Sequence, residues 1–151
     1  KSYLLCTLHR RENREKMINL WDELNIVSQN RNIIYIKHPS VKGSSRHLSK
    51  EITQIEPLSY QDMVYLINNS DGVISDSGGI QEEVISAKKN ILICRDTTER
   101  PETINSGYGK LVDKNISKNI KFLENKNQSV KNPYGKNVSS KITDIVQKIY
   151  G

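Results

Sequence analysis

The chain has 151 residues, 35% of them apolar, and a formal net charge of +6. That length suits one domain with a sizeable core, and no apolar run nears the roughly 20 residues of a membrane span. Lys and Arg dominate residues 1–50 and 101–151 while acids dominate 51–100, but no basic stripe interleaved with aromatics marks a nucleic-acid binder.

In chain order, residues 2–8 read as a strand, and Lys1-Ser2 leads directly into it, so no secretory leader is expected. Over 15–29, Met17, Leu20, Trp21, Leu24 and Val27 fall at helical spacing with charges on the other face. Residues 33–36 form a second strand and 52–55 a short third. Ser59 is placed to cap a helix carrying Met63, Leu66 and Ile67. Val73-Ile74 is a fourth strand, 91–94 a fifth and Leu111-Val112 a sixth. Helical patterns follow at 79–87, 116–124 and 138–150. Strands and helices alternating through short loops imply a parallel sheet covered on both faces. The expected fold is therefore an α/β, doubly wound, Rossmann-like domain. Its ligands belong at the carboxyl ends of the strands.

Polar clusters sit at those ends. His9 to Asn13 follow the first strand, His38-Pro39-Ser40 the second, Asp76 to Gly79 the fourth and Arg95 to Glu102 the fifth. Ser77-Gly78-Gly79 opens a helix, where unpaired backbone N–H groups and the helix dipole suit an anion such as phosphate. The same residues also read as a plain tight turn with a cap. Taken singly, Glu83 is a solvated helix residue and Arg100 half of a surface ion pair. Grouped at one sheet edge, Arg100 and the amides suit a diphosphate and Glu83 a ribose hydroxyl. His9, ahead of Arg10 and Arg11, suits a donor to phosphate or an acid near a sugar. Asn13 and Glu12 read as the start of the next helix.

Cys6 and Cys94 lack the spacing of a metal site or disulfide framework and read as buried thiols of a cytoplasmic protein. No cluster has metal-ligand spacing. Neither Gly-x-Gly-x-x-Gly nor Gly-x-x-x-x-Gly-Lys-[Ser/Thr] occurs, which argues against a self-contained NAD enzyme or a P-loop NTPase.

Four segments in order carry a resemblance: Thr7 to Asn13, Asp76 to Glu83, Arg95 to Glu102, and Asn132-Pro133-Tyr134-Gly135. They resemble the non-hydrolysing UDP-N-acetylglucosamine 2-epimerases, over nearly the whole chain but only the carboxyl-terminal half of that family's protein. The resemblance implies one half of a glycosyltransferase-B type fold, residues 1–151 forming a single UDP-binding domain without its amino-terminal companion. It implies interconversion of UDP-GlcNAc and UDP-ManNAc by elimination and re-addition of UDP, with no cofactor or metal.

Carried over by resemblance, His9 is the active-site histidine, and Ser77, Gly78 and Gly79 bind phosphate. Glu83 holds the ribose and Arg100 assists the diphosphate. Leu58, through its main chain, and Met63 hold the uracil. Arg10 and His38 line the site of an activating second UDP-GlcNAc. The family's catalytic acids lie in the amino-terminal domain, so catalysis is expected to need that domain or a separate subunit, and a homodimer fits the family. The chain departs from the family pattern at Met63, where an aromatic is usual, and at Lys88-Lys89-Asn90, where Gly-Lys-Pro is usual. The last helix, 138–150, is expected to expose an apolar stripe. Two other functions stay open: a non-catalytic nucleotide-sugar module or remnant, and the nucleotide half of a glycosyltransferase.

Overall fold

The computed structural model describes residues 2–41, 43–125, 132–135 and 138–150. Six strands form one parallel sheet: β1 (Leu4–Thr7), β2 (Ile33–Ile36), β3 (Thr53–Ile55), β4 (Gly72–Ser75), β5 (Ile91–Ile93) and β6 (Gly109–Leu111). Their order across the sheet is β3-β2-β1-β4-β5-β6, with every pair parallel. Between β1 and β4 the winding reverses direction, which opens a crevice at their carboxyl ends. Leu4 lies opposite both Ile33 and Gly72, and Cys6 opposite both Tyr35 and Ile74.

The helices are α1 (Met17–Ser28), α2 (Ser44–His47), α3 (Tyr60–Asn69), α4 (Gly78–Ser86), α5 (Pro101–Asn105), α6 (Ile116–Asn119) and α7 (Val138–Tyr150). Alternation along β1 divides the core. Leu4 and Cys6 face one apolar cluster with Leu20, Trp21, Leu24 and Ile116. Leu5 faces the other with Ile67, Val73, Val84, Ile91 and Ile93. Helices on both faces bury the central strands β1, β4 and β5 completely, and truncating a side chain such as Leu5 to alanine would cost about 2–5 kcal/mol. The α1 stripe expected from spacing is buried as expected: Met17, Leu20, Trp21, Leu24 and Val27. Ser59 caps α3 by accepting from the Asp62 amide at 3.2 Å.

Three differences from the expected elements have identifiable causes. The sixth strand begins earlier, at Gly109, because α5 packs onto it: a Cβ at Gly109 would lie 2.4 Å from Thr103 Cγ2. The short α5 itself starts on Pro101, suited to a helix's first turn, within a stretch that reads from sequence only as a polar loop. The pattern over 116–124 is α6 followed by a 3-10 segment, Ile120–Glu124. Asn90 Nδ2 donates 3.0 Å to the Phe122 carbonyl, and Leu123 packs against Gly72, whose Cβ position would lie 2.9 Å from Leu123 Cβ. These long-range contacts tighten the turn. The stripe on α7 is exposed as expected, with Ile142, Ile145, Val146 and Ile149 all open to solvent.

Candidate functional site

The site begins with a buried carboxylate. Asp76 follows β4 and is fully buried. It accepts from the His9 amide at 3.1 Å, the Arg10 amide at 2.9 Å and Asn13 Nδ2 at 2.9 Å. Asn13, also buried, sends a second donor 2.8 Å to the Cys94 carbonyl beyond β5. The loops leaving β1, β4 and β5 are thus joined at the switch point. Asn13 does more than start a helix: it lies in a 3-10 turn, Arg11–Asn13, and its amide is a core strut. A buried acceptor with several N–H partners fixes loop geometry, since an unpaired buried polar group is costly.

Above this hub lie His9, Arg10 and His38. The His9 and His38 rings stack, with centroids 4.5 Å apart and planes 17° apart. His9 Nδ1 is buried without a hydrogen-bond partner, 3.8 Å from Asp76 Oδ1. Burial lowers the His9 pKa below the usual 6.5, opposed by Asp76 and reinforced by His38 and Arg10. The imidazole is therefore neutral near pH 7. His38 Nδ1 accepts from the Ser40 amide at 3.2 Å, which places the ring proton of neutral His38 on Nε2.

Helix α4 points its amino terminus into the same crevice. Ser77, half-buried, is its N-cap residue, and its side chain makes no capping bond. A Cβ on Gly78 would meet Glu99 Oε1 at 2.6 Å and Arg10 Nη2 at 3.5 Å, whereas one on Gly79 would meet nothing within 4 Å. Gly79 therefore faces open space, as an approaching anion requires. Arg10 belongs with this cradle: its Nη2 lies 3.1 Å from Glu99 Oε1.

The remaining predicted residues gather on the α3–α4 side. Leu58 and Met63 are half-buried against the cluster that also holds Ile80 and Val84. Glu83 accepts from the Tyr60 hydroxyl at 2.7 Å, which ties the start of α3 to α4. Arg100 pairs with Glu82 through Nε, the ion pair its isolated sequence context suggests. Its loop is held by Thr98, whose hydroxyl donates 2.9 Å to buried Gln81 Oε1. The Asn132 to Gly135 segment docks nearby, with Tyr134 and Thr103 hydroxyls 2.6 Å apart.

Asp76, Gln81, Thr98, Glu99 and Tyr60 position these groups, and sequence reasoning assigned none of them a role. A groove of about 920 Å³ lies at the opposite, amino-terminal edge, beside Leu4, Arg31, Asp71, Lys89 and Asn90. Two of its cations are engaged, Lys89 with the Ser70 carbonyl and Arg31 with Glu124. Polar groups converge instead on the carboxyl edge. No group of three or more acidic, His or Cys side chains suited to a metal occurs among the described residues, and no described helix is long and apolar enough to cross a membrane.

Fold and site together define a Rossmann-like α/β domain whose switch-point crevice presents a helix amino terminus, two histidines and an arginine. The family described as UDP-N-acetylglucosamine 2-epimerase matches residues 1–147, and the chain belongs to that family. It is 36% identical over 160 residues to the UDP-N-acetylglucosamine 2-epimerase of Salmonella borreze, covering 93% of this chain and 42% of the relative. The Neisseria meningitidis UDP-GlcNAc 2-epimerase bound to UDP-GlcNAc superposes with a TM-score of 0.89 at 34% identity, over 98% of this chain and 45% of that one. The Methanocaldococcus jannaschii enzyme in complex with UDP-GlcNAc and UDP gives a TM-score of 0.88 at 33% identity, over 98% and 46%. The chain thus spans less than half the length of these relatives.

Proposed function

We propose that this chain is the UDP-binding, carboxyl-terminal half of a UDP-N-acetylglucosamine 2-epimerase, acting on UDP-GlcNAc and UDP-ManNAc with an amino-terminal half. The carrying observation is the Asp76 hub, which sets His9 and the amino terminus of α4 on one crevice. In this reading the first amides of α4, at Gly78 and Gly79, with Ser77, receive the diphosphate. Arg100 leaves Glu82 to assist them. Glu83, already accepting from Tyr60, accepts from the ribose. Leu58 offers its main chain to the uracil, and Met63 packs against the base in place of an aromatic.

The reaction eliminates UDP together with the C2 proton, then returns UDP to C1 while a proton enters C2 from the opposite face. Charge develops on the leaving diphosphate, and preoriented amides with an arginine stabilise it more in the transition state than in the ground state. Neutral His9, beside that diphosphate, is suited to donate a hydrogen bond to it. Arg10 and His38 line the neighbouring space of a second, activating nucleotide sugar. The groups that move the C2 proton come from the amino-terminal half, which also covers the apolar stripe of α7. The assembly is cytoplasmic and homodimeric.

Calorimetry with UDP tests the binding half of this reading. Arg100→Ala and Glu83→Gln should each weaken UDP by about tenfold. An assay for UDP-ManNAc formation tests the rest. The chain alone should be inactive and should gain activity with an added amino-terminal half. Robust turnover by the chain alone would refute the half-site, and no UDP binding at millimolar concentration would favour a remnant.

A further inference from the structure

Within the crevice, one carboxylate occupies ground a ligand anion would need. Glu99 lies against the first residue of α4, so close that a Cβ on Gly78 would overlap Glu99 Oε1. The same carboxylate is clamped from two sides. Arg10 Nη2 reaches Oε1 at 3.1 Å, and Arg95 Nη1 pairs with Oε2. Arg95 is largely buried and also meets Glu12 Oε1 at 3.1 Å through Nη2. Two arginines of the crevice are thus already engaged by one carboxylate of the protein itself.

We propose that Glu99 is an internal stand-in for the ligand's phosphate, seated between Arg10, Arg95 and the start of α4, and that phosphate binding displaces it. This rests on the UDP-binding reading above and adds a residue that sets affinity by competition. Both occupants are anions of similar hydrogen-bonding habit, and both suit the fork of an arginine. Glu99 is half-exposed on a loop, so its side chain can swing into water without unpacking the core. Departure would hand Arg10 and Arg95 to the incoming diphosphate, which carries more charge than one carboxylate and so wins the exchange. The seat stays occupied in the absence of ligand, which spares Arg10 an unpaired state, while Arg95 also holds Glu12, and discourages weakly charged anions.

The experiment is a titration of the full chain and of Glu99→Gln with UDP, with inorganic pyrophosphate and with uridine. Glutamine keeps the shape and removes the charge, and matching thermal unfolding confirms that the variant is folded. Glu99→Gln should bind UDP and pyrophosphate about two- to fivefold more tightly than wild type, the scale of exposed ion pairs. Uridine, lacking phosphate, should bind both chains alike. Equal or weaker pyrophosphate binding by Glu99→Gln would overturn the inference, because Glu99 would then organise the arginines rather than compete for them. Binding of neither anion by either chain would also overturn it. If pyrophosphate binds but UDP does not, the UDP reading fails, and the pyrophosphate ratio still decides the role of Glu99.

Discussion

Asn13 and Asp76, 63 residues apart in sequence, meet in the interior, where Asn13 Nδ2 donates 2.9 Å to Asp76 Oδ2. Through this pair the β1 loop takes its shape from the end of β4. Asp76→Ala would strip the His9 and Arg10 amides and the Asn13 amide of their shared acceptor. The expected cost is about 2–4 kcal/mol, read from urea unfolding, together with loss of UDP binding. Asp76→Ala with wild-type stability would show that the hub is dispensable.

Gly79 separates structural from ligand-binding roles. An alanine there meets no atom within 4 Å and sits in the first turn of a helix. Stability should hold or rise, by up to about 1 kcal/mol. UDP affinity should nevertheless fall, because the methyl group projects where the proposed UDP site receives its phosphate. A variant that binds UDP like wild type would place the phosphate elsewhere.

Lys88 follows the end of α4 with φ of 55°, in the left-handed region, where the family's usual glycine carries no penalty. Lys88→Gly should therefore stabilise the domain by up to about 1 kcal/mol, measured as an upward shift in Tm. The neighbouring departure from the pattern has its own use. Asn90 stands where proline is usual, and its Nδ2 holds the Phe122 carbonyl at 3.0 Å. A lowered Tm in Lys88→Gly would contradict the strain at this position.

His9 gives a pH dependence with a definite sign. Its folded pKa lies below the usual 6.5, so between the two values the unfolded chain binds more protons. Stability should fall as pH drops below about 6.5. His9→Gln should flatten that part of the profile, while the contribution of the other histidines is common to both proteins. Parallel profiles for the two proteins between pH 5 and 7 would rule out a lowered His9.

Much of the fold was legible in the sequence because it is written in local periodicity. The stripe from Met17 to Val27 marks α1, and short apolar runs mark β1, β2, β4 and β5. Alternation of the two implied the doubly wound sheet, and with it the edge where the polar clusters meet. The helical pattern over 116–124 changes from α to 3-10 midway, at contacts from Asn90 and Gly72, which lie far away in sequence. The site was legible as motifs but not as a network. Asp76 reads as part of a loop until its partners His9, Arg10 and Asn13 are seen, and Glu99 as a surface acid until Arg10 and Arg95 close on it. Arg10, resembling an activator-site residue, also reaches the α4 cradle, a contact no local pattern encodes.

The most direct test of the central claim is a backbone amide NMR titration of the chain with UDP. Saturable shifts should gather on His9, Arg10, Ser77 to Ile80, Glu83 and the Arg100 loop. Shifts confined to the amino-terminal groove beside Arg31, Asp71 and Lys89, or no shifts at millimolar UDP, would contradict a UDP site at the β1–β4 switch point.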